Sequence, residues 1–268
     1  MNTRTNNGWD AETYDNVSTK QEEFALNLVK LRNWIGNEIV MDAGCGSGRV
    51  TKILAKIITN GKIYAVDSDV NMIEKAKYSL SAFENTTIIH SNLLDTSLKV
   101  IPSKVDVIFS NAVLHWILDH PRIFKNFFDL LNHNGQLLIQ CGGYGNLRKA
   151  ISIFDKVKDS ERFKHYFKEW KDRWYFPKPF VTEKLLKEIG YSNVKVSLFE
   201  APVSFSNRNS YSLYLKTVIL WPYLKSIESE NDKDEYIESI LREIEQNHPE
   251  MKWNFDYVRL NILADKIA

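Results

Sequence analysis

Short apolar runs alternate with amphipathic stretches along the first half of the chain. Five of these runs predict buried strands, at residues 39–42, 62–67, 86–90, 105–109 and 136–141. Between them, apolar residues recur at the three- and four-residue spacing of helices, for example over residues 50–57. Strands that alternate with helices over short connections are typical of a parallel sheet with helices on both faces. The pattern therefore predicts an α/β fold with a doubly wound, mostly parallel sheet.

The second half of the chain predicts two further strands and several helices. The strands are predicted at residues 193–199 and 254–264. Helices are predicted at 182–189, over much of 207–250, and at 160–174, where aromatic residues recur at helical spacing. That aromatic face is open to three interpretations: contact with the core, the wall of a pocket, or a membrane-facing surface.

A glycine-rich turn follows the first strand and predicts a site for a nucleotide-type ligand. Gly44, Gly46 and Gly48 let the backbone approach a ligand closely, and the amides of the helix that begins near Ser47 face the turn. The second strand ends at Asp67, whose carboxylate can accept hydrogen bonds from both hydroxyls of a ribose. Strand, turn, helix, strand and acid together form a nucleotide-binding unit.

The spacing of the glycines and the acid before them bear on which nucleotide binds. A dinucleotide site has the pattern G-x-G-x-x-G, whereas here the glycines alternate, and Asp42 would repel a pyrophosphate but suits a cationic amino group. An NAD-binding oxidoreductase is the alternative from another class. The glycine spacing and Asp42 argue against it, and the chain also lacks a hydride-transfer set such as Tyr-x-x-x-Lys. A non-catalytic nucleotide-binding protein is a third alternative.

The turn, Asp42-Ala43-Gly44-Cys45-Gly46-Ser47-Gly48, resembles the first motif of the class I S-adenosylmethionine-dependent methyltransferases, (V/L/I)-D-x-G-C-G-x-G. The resemblance implies the Rossmann-like methyltransferase fold, with a seven-stranded, mostly parallel sheet, and S-adenosylmethionine as cofactor. The cofactor-binding residues that it implies are Trp9, Tyr14, Asp42, Ala43, Gly44, Cys45, Gly46, Gly48, Asp67, Ser68, Met72, Asn92, Leu93 and Asn111. Asn92 stands where the family often has an Asp that accepts from the adenine amine.

The fold implied by the resemblance predicts one domain over residues 1–268. Its predicted parts are an N-terminal lid and flanking helix (1–36), a cofactor-binding core (37–142), and helical cap insertions (145–180 and 207–250). The flanking helix is predicted at 21–34, and the charged run at 228–235 is predicted to be a solvated loop. The aromatic residues of the lid could instead belong to a helix cap at the edge of the domain.

A second resemblance concerns the acceptor of the methyl group. Residues 109–120, FSNAVLHWILDH, resemble the F-x-N-A-x-L-Q-W-x-x-D-H segment of the trans-aconitate methyltransferase group, and residues 216–224 are similar to its K-G-T-x-L-R-P-Y-L segment. The resemblance implies O-methylation of a carboxylic acid, which needs no general base because an ionised carboxylate is already nucleophilic. Trp221 stands in place of an Arg, and His115 in place of a Gln, so we expect a less charged, more apolar acid. The predicted substrate-binding residues are His115, Trp116, Tyr144, Trp174 and Trp221.

His115 is also the one candidate catalytic residue. It could orient a carboxylate, or act as a base if the acceptor is a hydroxyl or an amine. Alternatively, it is a hydrogen-bonded histidine at a helix start. His115 and His120 are not at the spacing of metal ligands on a helix, so no metal is expected.

Composition excludes several other classes of function. The formal net charge of +1 gives no overall positive field for nucleic acid or anionic lipid, and the loop at Asn111 lacks the prolines of the base-methylating (N/D)-P-P-(Y/F) loop. A small-molecule acceptor is therefore expected, without nucleic acid. No apolar run reaches the roughly 18 residues of a membrane span. Cys45 and Cys141, outside any C-x-x-C pattern, are expected to be free packed thiols in a cytoplasmic protein.

Overall fold

A seven-stranded sheet forms the centre of the protein in the computed structural model, which describes residues 19–267. Its strands run in the order β3-β2-β1-β4-β5-β9-β6, in which β1 to β5 are parallel and β9 is antiparallel to both of its neighbours. The strands are β1 (Ile39–Ala43), β2 (Lys62–Asp67), β3 (Thr86–His90), β4 (Val105–Asn111), β5 (Leu131–Gly142), β6 (Ser192–Glu200) and β9 (Val258–Lys266). The predicted doubly wound, mostly parallel sheet is confirmed.

Helices cover both faces of this sheet and build a further layer beside it. They are α1 (Thr19–Val29), α2 (Arg49–Ile57), α3 (Val70–Ser79), α4 (His120–Leu130), α5 (Arg148–Lys158), α6 (Pro179–Ile189), α7 (Arg208–Tyr214), α8 (Trp221–Leu224) and α9 (Glu230–Asn247). A short π-helix, Leu215–Ile219, joins α7 to α8. Strand β7 (Val203–Ser204) pairs with β8 (Asn254–Phe255) in a small antiparallel sheet. None of the helices in the described range has the length and apolarity needed to cross a membrane.

Neighbouring residues of the central strands enter different cores, which explains why these strands are apolar throughout. Val40 packs with Ala25 and Leu54, from α1 and α2, whereas the next residue, Met41, packs on the opposite face with Phe124 and Leu186, from α4 and α6. A strand covered on both faces needs apolar residues at successive positions. The continuous apolar runs of the sequence are the result.

A third, aromatic-rich core lies among α5, α7, α8 and α9. It contains Phe154, Tyr211, Tyr223 and Tyr236, all buried. The Tyr236 hydroxyl donates to the carbonyl oxygen of Phe154 at 3.0 Å, so this core is also joined by polar contacts. Residues of 145–180 and 207–250 supply most of it, and their division from the rest as cap insertions remains a prediction.

The predicted helix at 160–174 is wrong. The structure has only a short 3₁₀ turn there, Lys164–Phe167, followed by a segment without regular secondary structure at 171–178. The aromatic residues nevertheless pack against one core: the Trp170 ring stacks on Tyr223 with centroids 4.5 Å apart, and Trp174 contacts Tyr223 at 6.0 Å as well as Trp116 at 5.6 Å. Contact with the core therefore produced the helical spacing in a stretch that is not a helix. The helix of this region is α5, upstream, which the sequence pattern did not reveal.

Three other predicted boundaries need correction. Helix α1 ends at Val29, where the Trp34 indole donates to the Val29 carbonyl oxygen at 2.9 Å. The charged run at 228–235 is not a loop, because the Ser229 hydroxyl accepts from the Asp232 amide and starts α9. Acidic residues in its first turn also favour a helix N-terminus. The predicted last strand at 254–264 is divided into β8 and β9.

Candidate active site

A cavity of about 660 Å³ opens at the carboxyl ends of β1, β2, β3 and β4. This is the position at which parallel α/β sheets bind ligands. On the sheet side it is lined by Gly44, Gly46, Asp67, Ser68, Met72, Asn92, Leu93 and Asn111. Opposite them it is lined by His115, Trp116, Trp174, Phe176, Trp221, Tyr257 and Arg259. The glycine turn and the aromatic residues therefore border one continuous space.

The glycine turn is held against β2 by its own backbone. The amides of Gly44 and Cys45 both donate to the carbonyl oxygen of Val66, at 2.8 and 2.9 Å. Gly44, Gly46 and Gly48 have φ of 82°, 54° and 84°, a conformation that side chains disfavour. A Cβ on Gly46 would meet no atom within 4 Å, so it would extend into open space. The backbone at Gly46 thus forms the cavity wall itself.

Asp67 is fixed at the rim of the cavity by two backbone donors. Its Oδ2 accepts from the Gly46 amide and its Oδ1 from the Asp69 amide, each at 2.9 Å. Burial raises the pKa of Asp67, and these N–H donors oppose that rise. Asp69 caps α3 by accepting from the amides of Asn71 and Met72. Asp67 is therefore not needed as a helix cap.

Asp42 lies below the turn, outside the large cavity. It is 2% exposed, and its Oδ2 accepts from the Thr51 hydroxyl at 2.6 Å. Burial raises its pKa to about 7, and the nearby Asp67 carboxylate adds to the rise. With Cys45 it borders a smaller cavity of about 60 Å³, whose lining shares Gly44 with the large one. Asp42 therefore borders the smaller cavity and not the large one.

Two buried acceptors lie between the turn and α1. The Asn111 side-chain amide donates to the carbonyl oxygen of Gln21 at 2.9 Å, and the Gln21 amide donates to the Tyr214 hydroxyl at 2.5 Å. The remaining side-chain oxygens, Gln21 Oε1 and Asn111 Oδ1, are buried and accept no hydrogen bond. Both residues line both cavities. Unpaired buried acceptors are costly, so they favour a ligand with a donor group, such as an ammonium.

His115 is held in one orientation by backbone and ring contacts. Its Nδ1 accepts from the Gly142 amide at 3.3 Å, and its ring stacks on Phe176 with centroids 6.0 Å apart. Because Nδ1 accepts, the proton of the neutral ring is on Nε2. Burial lowers the pKa of His115 well below its ordinary value, and the positive charge of Arg259 adds to this. His115 is thus a neutral hydrogen-bond donor, which disfavours the alternative in which it acts as a base.

The structure brings the three predicted tryptophans together in the wall of the cavity. Trp116 contacts Trp174 at a centroid distance of 5.6 Å and Trp221 at 6.4 Å. The irregular segment that carries Trp174, residues 171–178, is tied to this wall, because the Tyr175 amide donates to the carbonyl oxygen of His115 at 2.9 Å. The acceptor side of the cavity is therefore largely aromatic.

Tyr144, in contrast, does not line the cavity. Its side chain is 45% exposed and lies between the charged groups of Arg148 and Lys178, at 4.9 and 4.7 Å from its ring. We therefore do not include Tyr144 in the candidate site.

Other predicted residues lie beside the cavity or need a narrower role. Ala43, at the end of β1, is buried, and its carbonyl oxygen accepts from the Ser110 hydroxyl at 2.7 Å. Gly48 is the residue from which α2 begins. Asn92 lines the cavity, but its side-chain oxygen already accepts from the Leu94 amide at 2.9 Å. Trp9 and Tyr14 lie outside the described residues.

Arg259 is a cavity residue that the sequence analysis missed. It is 2% exposed, lines the cavity, and its guanidinium lies over the rings of Phe24 and Tyr257 at 5.2 and 5.9 Å. The available signal was a single charged residue inside an otherwise apolar strand segment, Val258-Arg259-Leu260. Both cysteines are free and buried, and the described residues contain no cluster of three His, Cys, Asp or Glu that could hold a metal ion.

Comparison with known proteins gives consistent matches. A family model described as a methyltransferase domain matches residues 36–192. Malonyl-acyl-carrier-protein O-methyltransferase 1 of Ilyobacter polytropus is 30% identical over 158 residues, 57% of this chain and 58% of that protein. Trans-aconitate 2-methyltransferase of Afipia carboxidovorans is 29% identical over 132 residues, 49% of each protein. The chain thus spans between about half and three fifths of the length of these two relatives.

A solved structure extends the similarity of the fold to most of the chain. Phosphoethanolamine N-methyltransferase 2 of Haemonchus contortus, in complex with phosphomonomethylethanolamine and S-adenosylhomocysteine, superposes with a TM-score of 0.61. The match is 16% identical and covers 96% of this chain and 57% of that one. At this identity the likeness concerns the fold alone.

Proposed function

Because this chain belongs to the class I S-adenosylmethionine-dependent methyltransferases, we propose that its acceptor is a small, largely apolar carboxylic acid, which it converts into a methyl ester. The observation that carries this proposal is the state of His115. At the acceptor side of the cavity this residue offers a fixed N–H donor and no base, because its Nδ1 accepts from the Gly142 amide. An ionised carboxylate accepts hydrogen bonds and needs no deprotonation.

The cofactor fits the sheet side of the cavity by three local features. Because Gly46 has no Cβ, the cofactor can approach the backbone there closely, and the Asp67 carboxylate at the rim suits ribose hydroxyls. The unpaired oxygens of Gln21 and Asn111 suit an ammonium group. When bound, S-adenosylmethionine supplies a methyl group on a positively charged sulfur. The role of this chain is then to hold the acceptor in line with that methyl group.

The reaction balances without proton transfer. One carboxylate oxygen of the acceptor forms a bond to the methyl carbon while the bond between that carbon and sulfur breaks, and its electron pair remains on sulfur. The products are a neutral ester and S-adenosylhomocysteine. Positioning and exclusion of water can supply much of the catalysis of such a displacement. The aromatic wall of Trp116, Trp174 and Trp221 suits both tasks, since it presents apolar surface around the acceptor.

The alternative is a hydroxyl or amine acceptor, and the unpaired oxygens of Gln21 and Asn111 could also bind an amine. Such an acceptor must lose a proton, which requires a base within reach of it. His115 is poorly suited to be that base, since its lowered pKa makes it a weak proton acceptor. We therefore place the carboxylic acid first.

The test is S-adenosylhomocysteine release over a matched panel of apolar carboxylic acids and the alcohols and amines of the same carbon skeletons. We expect turnover with at least one acid and none with its alcohol or amine counterpart. Asp67→Ala should abolish turnover by weakening cofactor binding, whereas Asp129→Ala, an exposed residue paired with Lys125, serves as the matched control. Turnover confined to alcohols or amines would overturn the carboxyl proposal while leaving the class of enzyme unchanged.

A further inference from the structure

We propose that Arg259 and the Nε2–H group of His115 form the subsite that binds the acceptor's carboxylate, so that the rest of the acceptor lies against the tryptophan wall. This inference rests on the proposed function and adds to it the residues that select an anionic acceptor. It also replaces the expectation, drawn from Trp221 standing in place of an arginine, that the site lacks a cation for the acceptor. The cation comes instead from β9.

The first argument is the burial of Arg259. Arginine is among the residues least often buried, because its charge is costly to remove from water. Here the side chain is 2% exposed and yet borders the cavity, with aromatic rings of Phe24 and Tyr257 beneath its guanidinium. Rings in this arrangement stabilise the cation and orient its planar face. A guanidinium held in this way can direct N–H donors at a carboxylate, the group whose geometry it matches best.

The second argument is the strand register, which brings Arg259 and His115 to the same place. Arg259 is paired directly with Gly142 across β5 and β9. The amide of Gly142 in turn donates to His115 Nδ1 at 3.3 Å. The two donors of the proposed subsite are therefore linked through one residue. His115 carries no charge beside Arg259, because burial and the arginine both lower its pKa, so the two groups do not repel each other.

Gly142 also explains how the Phe176 ring comes close to this corner. A Cβ at this position would lie 2.7 Å from the Phe176 ring and 2.9 Å from the Asn146 side-chain nitrogen. Both of those residues line the cavity. The absence of a side chain at residue 142 thus lets Phe176 reach the His115 ring and complete the boundary between the polar corner and the aromatic wall.

The subsite would also bind the substrate more strongly than the product. The acid enters as an anion that Arg259 attracts, and it leaves as a neutral ester that has lost this attraction. One carboxylate oxygen can pair with the guanidinium while the other faces the methyl group, so binding does not block the reacting oxygen. Strong recognition of the acid therefore need not slow release of the ester.

The experiment compares binding of an acid with that of its primary amide, which has nearly the same shape and no charge. With the acid of the panel that the wild-type protein binds most tightly, whether or not it is turned over, we expect Arg259→Met to weaken binding by about 10- to 100-fold, the range of a charge-assisted hydrogen bond. Binding of the amide should change by less than about threefold, and Arg259→Lys should recover part of the loss. Arg208→Met, at a surface arginine paired with Glu238, is the matched control. The affinity for S-adenosylhomocysteine, measured in each variant by calorimetry, reports whether the fold and the cofactor side are intact.

Each outcome has a separate meaning. Loss of the preference for acid over amide in Arg259→Met, with normal S-adenosylhomocysteine affinity, supports the subsite. An unchanged preference overturns it while the methyl ester proposal stands, provided that the acid is still turned over. If Arg259→Met does not fold, Arg259→Gln and His115→Phe, which remove the charge and the N–H donor respectively, provide the same comparison, and an unchanged preference in both has the same negative meaning. If the wild-type protein binds the acid through Arg259 but never methylates it, the proposed function fails and the subsite remains.

Discussion

The glycine turn offers a direct test of how the cofactor side of the cavity is built, because two of its glycines differ in what surrounds them. A Cβ on Gly44 would lie 2.2 Å from Cγ2, 2.7 Å from Cγ1 and 2.9 Å from Cβ of Val113. A Cβ on Gly46 would meet nothing within 4 Å. Both residues have positive φ, of 82° and 54°. Gly44→Ala therefore adds backbone strain and a steric clash, whereas Gly46→Ala adds strain alone.

These differences translate into separate free energies of unfolding. A side chain in the left-handed region costs about 1–2 kcal/mol, and overpacking costs about 1–3 kcal/mol more. We expect Gly44→Ala to lower the free energy of unfolding by about 2–5 kcal/mol and Gly46→Ala by about 1–2 kcal/mol. The order should reverse for cofactor affinity once stability is taken into account, since the new methyl group of Gly46→Ala extends into the cavity itself.

A double-mutant cycle with Val113→Ala isolates the clash. Val113→Ala removes the two Cγ atoms that lie closest to the added methyl group, so the double variant should be more stable than the sum of the single losses predicts, by about 1–2 kcal/mol. Gly46→Ala combined with Val113→Ala should show additive losses. Urea unfolding followed by tryptophan fluorescence gives each value, with constant m-values as the check on two-state behaviour. Additive losses for Gly44→Ala and Val113→Ala, within about 0.5 kcal/mol, would refute the reasoning.

Two further predictions concern Asp42 and the irregular segment at 171–178. The pKa of Asp42 is raised to about 7, so between roughly pH 4 and 7 the folded state binds more protons than the unfolded state, and this carboxyl lowers stability as pH rises. Relative to Asp42→Asn, the wild-type protein should lose about 3 kcal/mol of unfolding free energy from pH 5 to pH 8, and parallel stability curves would contradict the shifted pKa. Opening of the segment at 171–178 breaks the hydrogen bond from the Tyr175 amide to the His115 carbonyl oxygen and removes part of the cavity wall, so the open form should not bind the acceptor. Acceptor at 100 times its dissociation constant should therefore slow hydrogen exchange of the Tyr175 amide about 100-fold. Equal exchange rates with and without acceptor would show that the segment is not part of the closed site.

The sequence pattern revealed the cofactor half of the fold because that half is local in sequence. Strands β1 and β2 are apolar over successive positions, Gly44 directly follows β1 and Asp67 ends β2, so short-range pattern and position in the sheet coincide. The orientation of Asp67, however, needed the structure, since it depends on amides that come from two different turns.

The acceptor half was harder to predict because its elements are joined by contacts distant in sequence. Trp170 and Trp174 pack against the same core from a stretch that is not helical, so periodicity predicted a helix that does not exist. Tyr144 looked similar to the tryptophans in sequence, yet its neighbours Arg148 and Lys178 hold it at the surface. Arg259 gained its position from the pairing of β9 with β5, which nothing in the residues around it specifies.

The placement of β9 has a consequence for how the protein is made. This strand lies between β5 and β6 and pairs with both, although it follows them by a long stretch of chain. During synthesis from the N-terminus, β5 and β6 must therefore emerge with open edges and wait for a common partner, and open edges are sites of mispairing. The glycine turn and Asp67 can be assembled long before that moment, whereas Arg259 arrives with the strand that closes the sheet. Nascent chains could thus acquire cofactor binding well before they can recognise an acceptor.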